Sequence, residues 1–189
     1  HGPHEGDPNS LDNLHNNYIP ALKETVLTVS RMGIGFLTTH LWMDSRYVLP
    51  DVIAVKIEAL EDLRCFGEER HVEVSLENLS ESNSDFSRIV SAIPELSLTL
   101  DVGHGQLLTR LNRSFEIIRD FHKRVRHVHV HDNLGGVGVK DDLHLPMGQG
   151  IVDFEGIFYE LIKNGYDGTI TLELKPEELE QSLVCAKSL

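Results

Sequence analysis

Apolar residues recur along the chain in two rhythms that take turns, the three-to-four spacing of a helix and the strict alternation of a strand. Tyr18, Leu22, Val26 and Val29 predict a helix over Leu11–Arg31, capped by Ser10 and stopped by Gly33, and Ile34–His40 follows as a strand. A helix over Asp51–Leu63 comes next, with Gly67 as its stop, then an alternating strand Val72–Asn78 that sets Glu77 opposite Val72, Val74 and Leu76. Helix Ser84–Ile93 leads into strand Leu96–Asp101, where Asp101 opposes Leu98 and Leu100. Helix Arg113–Lys123 leads into Arg126–Asn133, where His127, His129 and His131 share one face and Val128 and Val130 the other. A long loop, Leu134–Gly150, precedes a helix capped by Asp153. In the last strand, Thr169–Lys175, Glu173 opposes Ile170, Leu172 and Leu174, and an acidic tail, Pro176–Leu189, reads as a short amphipathic helix.

Strand followed by helix, about five times over, predicts a parallel α/β sheet. In a (β/α) barrel the helix-facing strand positions are aliphatic, the inward ones can be polar, and functional groups sit at the C-terminal strand ends. Glu77, Asp101, His129 and Glu173 all obey that parity, so they are expected to converge at one mouth.

Composition narrows the setting. A chain of 189 residues, 40% hydrophobic and 25% charged, reads as one domain over 1–189 able to bury a core. The formal net charge of -13 argues against a nucleic-acid partner, which usually meets a basic face. Cys65 and Cys185 form neither a disulfide framework nor a metal-ligand spacing, which fits a reducing cytoplasm. With no apolar run near 20 residues and no signal-peptide pattern, neither a membrane span nor secretion is expected. A homo-oligomer is compatible with this composition.

Two glutamates, an aspartate and a histidine at one mouth make an oxygen-rich site suited to a divalent cation such as Mn, Zn, Mg or Co. Unneutralised, three carboxylates at close range would repel one another. His104 with Asp142 and His144 forms a second cluster, equally suited to another ion or to hydrogen-bonding a substrate. His40, together with His1 or His4, could complete a further position. Gly148-Gln149-Gly150, ahead of the Asp153 helix, could admit a phosphate.

The motifs Leu76-Glu77-Asn78, Asp101-Val102-Gly103-His104, His127-Val128-His129-Val130-His131-Asp132-Asn133, His144-Leu145-Pro146-Met147-Gly148-Gln149-Gly150 and Leu172-Glu173-Leu174 resemble, in order and spacing, those of the xylose isomerase-like TIM-barrel superfamily. That superfamily holds sugar phosphate isomerases and epimerases and the endonuclease IV-like enzymes of AP endonuclease family 2. The resemblance implies a (β/α)8 TIM barrel, N-terminally truncated in this chain, since about five βα units can be found where members have eight. The missing strands would be absent or supplied by another chain.

The resemblance also implies a shared metal site of Glu77, Asp101, His129 and Glu173. Between one and three ions are expected, the extra ligands of the endonuclease IV-type falling on His40, His104, Asp142 and His144, with His1 or His4. His131 stands where the family pattern has Lys. The implied activity is divalent-metal-dependent isomerisation or epimerisation of a small sugar or sugar phosphate through an enediolate, with Glu77 and Glu173 moving the proton and His104 orienting a substrate oxygen. The alternatives are a zinc phosphodiesterase acting on abasic DNA and a non-catalytic barrel relative. Along the histidine strand, His127 is expected buried beneath the site, His129 on the metal and His131 at the rim beside Asp132.

Overall fold

The structure, a computed structural model, describes residues 1–188, the side chains of Val139 and Ser188 apart. Five strands lie in chain order within one sheet: β1 (Phe36–Thr39), β2 (Glu73–Glu77), β3 (Ser97–Asp101), β4 (Val125–Val130) and β5 (Thr169–Leu172). The sequential order is what right-handed strand–helix–strand crossovers produce. β1 runs parallel to β2, with Phe36 opposite Glu73, and β4 parallel to β5, with His129 opposite Thr171.

The chain divides into two compact units, one of His1–Glu77 with Glu81–Leu98 and the other of Asn78–Ser80 with the residues from Thr99 onward. The first begins with a helical stretch of α1 (Leu11–Asn13), a π turn (Leu14–Tyr18) and α2 (Ile19–Arg31). Ser10 caps it as predicted, its Oγ accepting from Asn13 N at 3.1 Å. The π turn directly precedes Pro20, which has no N–H to continue the α-helical ladder, so the Ile19 N–H reaches back to Leu14 O instead.

The next helix, α3 (Pro50–Glu68), starts on Pro50 and runs straight through Gly67, which is therefore not the stop its sequence suggests. Gly67 serves a close approach: a Cβ there would lie 2.6 Å from Val72 O. α4 (Asn83–Ala92) opens on a capping box between Ser82 and Asp85. Leu22, Val26, Leu37, Leu60, Val74, Phe86 and Ile89 form the apolar core of this unit. Within it a polar knot is also buried: Lys56 pairs with Glu5 at 2.5 Å and donates to Trp42 O at 2.7 Å, while Trp42 N donates to Glu5 Oε2 at 2.9 Å.

In the second unit α5 (Ser114–Phe121) and α6 (Phe154–Lys163) bury Ile117, Ile118, Ile157 and Leu161 alongside Leu100, Val128 and Val130. Asp153 caps α6 through Gly156 N at 3.0 Å. β5 departs from expectation: it ends at Leu172 and leaves Ile170 49% exposed, because the last strand has a neighbour on one side only. The tail folds as α7 (Leu179–Ser188), and the predicted end of that helix at Leu189 lies outside the described residues. No helix among the described residues is long and apolar enough to cross a membrane.

Candidate metal centre

In the second unit, Asp101, His129 and Glu173, three of the residues assigned by parity to one face, lie near one another. Asp101, at the end of β3, is fully buried, and its carboxylate stands 4.0 Å from His129 Nδ1, which in turn lies 3.0 Å from Glu173 Oε1. Asn78 fixes Asp101 from both sides, donating to its carbonyl at 2.9 Å and accepting from its N–H at 2.8 Å. Just beyond β3 the chain turns into a short 3-10 helix, and His104 N donates to Asp101 Oδ1 at 2.6 Å. That turn aims the His104 ring, whose Nδ1 meets Asn78 O at 3.0 Å and whose Nε2 faces Asp142 Oδ2 at 3.3 Å.

His144 approaches the same Asp142 oxygen from the loop, also at 3.3 Å, while its Nδ1 lies 3.1 Å from Glu173 O. His144 has a φ of 47°, a left-handed conformation that a non-glycine side chain holds only when its surroundings impose it. One donor atom from each of His104, His131, Asp142 and His144 lies within 4.8 Å of the others.

In the first unit, Glu77 is buried at the end of β2; its Oε2 is hydrogen-bonded with His1 Nε2 at 2.8 Å and lies 3.1 Å from His40 Nε2. Tyr18 Oη donates to the His40 carbonyl at 2.5 Å, so the first helix anchors the end of β1. His1, rather than His4, is the N-terminal histidine of this cluster; His4 is exposed and accepts from Gly6 N at 3.0 Å.

Three expectations are corrected. His127 is half-buried rather than beneath a site, because its partners are the hydroxyls of Thr169 at 2.6 Å and Thr171 at 3.0 Å on the edge strand. His131 is fully buried rather than at the rim: its ring stacks on His144 at 3.8 Å, and its Nε2 lies 3.0 Å from Asp101 Oδ1. The Gly148–Gly150 cradle does not await a phosphate, because the Asp132 carboxylate fills it, accepting from Gly148 N at 3.0 Å and Gly150 N at 2.8 Å. Sequence reading missed the depth of His131, the clamp made by Asp132 and the Glu5–Lys56 pair. Their partners lie far away in sequence, and no local spacing marks them.

The electrostatics suit a cation. Burial would raise the Asp142 pKa, but hydrogen bonds from His104 and His144 and their charges hold it far below the usual carboxylate range. His144 is pushed up to about 9, chiefly by its hydrogen bond to Asp142, against the opposing effect of burial. Buried His131 has no hydrogen bond of good geometry at either ring nitrogen, and neither does Asp142 Oδ1. Buried imidazole lone pairs beside carboxylates match the donor chemistry of a divalent transition ion.

The position of His131 depends on Gly103, since a Cβ there would fall 2.2 to 2.5 Å from its ring atoms. Gly103→Ala is therefore expected to push His131 away from Asp101. A shift of the His131 imidazole nitrogen resonances, in a protein of unchanged circular dichroism, would report it.

A family model described as xylose isomerase-like TIM barrel matches residues 1–189. An uncharacterized protein of Methanocaldococcus jannaschii is 28% identical over 138 residues, which cover 70% of this chain and 51% of that protein. The chain spans about half the length of the curated relatives it matches. Among solved structures, a D-tagatose 3-epimerase-like protein superposes with a TM-score of 0.82 at 21% identity, over 99% of this chain and 74% of that one. The IOLI protein, solved with a zinc atom, superposes with a TM-score of 0.75 at 19% identity, over 95% and 70%. At such identities the likeness establishes the fold, a TIM barrel of which five βα units are present here. With its full length matched by the family model, the chain belongs to the xylose isomerase-like TIM-barrel family.

Proposed function

We propose that Glu77, Asp101, His129 and Glu173 hold one divalent cation, and that the site serves isomerisation or epimerisation of a small sugar or sugar phosphate. The observation that carries this reading is the grouping of Asp101, His129 and Glu173 from three successive strand ends. Glu77 ends β2 as Asp101 ends β3, and the next residue, Asn78, is the one that clamps Asp101. The fold shared with a D-tagatose 3-epimerase-like protein supports the substrate class.

When bound, the cation supplies Lewis acidity toward a carbonyl and its neighbouring hydroxyl. Glu173, with 21% of its side chain exposed, can accept the proton next to the carbonyl; Glu77 returns one to the opposite face or the neighbouring carbon. With Nδ1 donating to Asn78 O, the His104 ring carries a second proton on Nε2 only as the imidazolium, and in that form it donates to the oxygen on which charge develops.

The test is proton exchange in D2O with a panel of ketoses and ketose phosphates, followed by NMR. Mn-, Co- or Zn-loaded protein is expected to wash deuterium into the carbon beside the carbonyl, chelation to stop it, and re-addition of metal to restore it. No incorporation into any member of the panel by fully loaded protein would refute the reading. A zinc phosphodiesterase is the second reading, favoured by the His104–His131–Asp142–His144 set and by His1 and His40 on Glu77. The net charge of -13 opposes it, and cleavage of an abasic duplex by zinc-loaded protein would establish it.

A further inference from the structure

The long loop after β4 carries Asp142 and His144, yet it has little regular structure of its own, only a 3-10 turn at Val139–Asp141. What holds it is one side chain. Asp132 is 1% exposed and accepts four backbone N–H groups: Asn133 at 2.9 Å and Val152 at 3.1 Å on Oδ1, and Gly148 at 3.0 Å and Gly150 at 2.8 Å on Oδ2. Its backbone forms an antiparallel bridge with Leu145, with N–H···O distances of 2.7 Å in both directions. Leu145 follows His144 directly, so this bridge fixes the residue whose backbone is held in the left-handed region. The glycines are required by the geometry: Gly148 has a φ of 83°, and a Cβ on Gly150 would lie 2.2 Å from Asn133 O.

We infer that Asp132 is a positioning residue, an internal anion that gathers the two ends of the loop and thereby aims Asp142 and His144 at His104. This inference rests on the proposed role of that cluster in the site. A carboxylate suits the task because a buried group that must accept four N–H bonds needs lone pairs on two oxygens and no donor of its own. An amide would turn an N–H₂ toward the N–H groups on one side of the clamp.

Asp132→Ala with formate as the probe tests this, on protein to which neither metal nor sugar has been added. Failure of the isomerase reading therefore leaves the measurement intact. Amide exchange of Gly148, Gly150 and Val152 is expected to accelerate by about tenfold or more. The imidazole nitrogen shifts of His144 should move, while those of His127, held by Thr169 and Thr171, should stay.

Formate, but not chloride at equal ionic strength, should refill the cradle and return both readouts to their wild-type values. Wild-type protection in Asp132→Ala, or lost protection that formate does not restore while β1 and β2 amides stay protected, overturns the proposal. If Asp132→Ala does not fold, Asp132→Asn takes its place: selective loss at Gly148 and Gly150 supports the clamp, and unchanged protection there overturns it.

Discussion

Asp101→Asn is expected to take bound metal from stoichiometric to undetectable and to lower turnover by about 100-fold or more, while leaving the circular dichroism unchanged. Asp101 is fully buried, with His104 N at 2.6 Å, His131 Nε2 at 3.0 Å and His129 Nδ1 at 4.0 Å. An uncharged amide supplies no neutralising charge there and turns an N–H₂ toward the imidazoles. Glu173→Gln should behave differently, because it keeps an amide oxygen as a ligand but cannot accept a proton. Turnover should then fall by roughly 10²- to 10⁴-fold with most of the metal retained. Metal analysis beside deuterium wash-in separates the two variants, and full metal content in Asp101→Asn would remove that residue from the site.

Lys56→Met is expected to destabilise the protein by about 3 kcal/mol or more, with a fall in Tm on the order of 10 °C. Lys56 is 1% exposed and Glu5 8%, and burial lowers the Lys56 pKa against the opposing pull of Glu5. Removing the ammonium strands a buried carboxylate that also holds Trp42 N, two residues after His40. The double variant Glu5→Gln with Lys56→Met should recover most of the loss, since it buries no lone charge. Urea denaturation of the wild type, both single variants and the double variant measures the coupling; equal losses in Lys56→Met and the double variant would show that packing, not charge, is at stake.

The element order was legible because β2 to β5 alternate and the helices keep their spacing, so that parity alone put Asp101, His129 and Glu173 on one side of their strands. Boundaries moved where a backbone approach outweighed a local signal. Gly67 reads as a helix stop but lies within α3, because Val72 O passes too close for any side chain. The π turn ahead of Pro20 was illegible for a similar reason: hydrophobic spacing scarcely registers a single extra residue in a turn.

Within the histidine strand, sequence assigned the shared face correctly but not the depth. His127 lies beside the last strand of the sheet and meets threonine hydroxyls, whereas His131, past the end of β4, is covered by the loop stacked upon it. Asp132 was visible only as a strand-end acid, because its partners at Gly148, Gly150 and Val152 come together only once that loop has folded back. The sequence by itself determined the strand–helix order, the faces and the ligand types, since those follow from local periodicity and residue chemistry. Tertiary structure alone decided which groups meet and how deeply they are buried, because both depend on where a returning loop closes over a strand end.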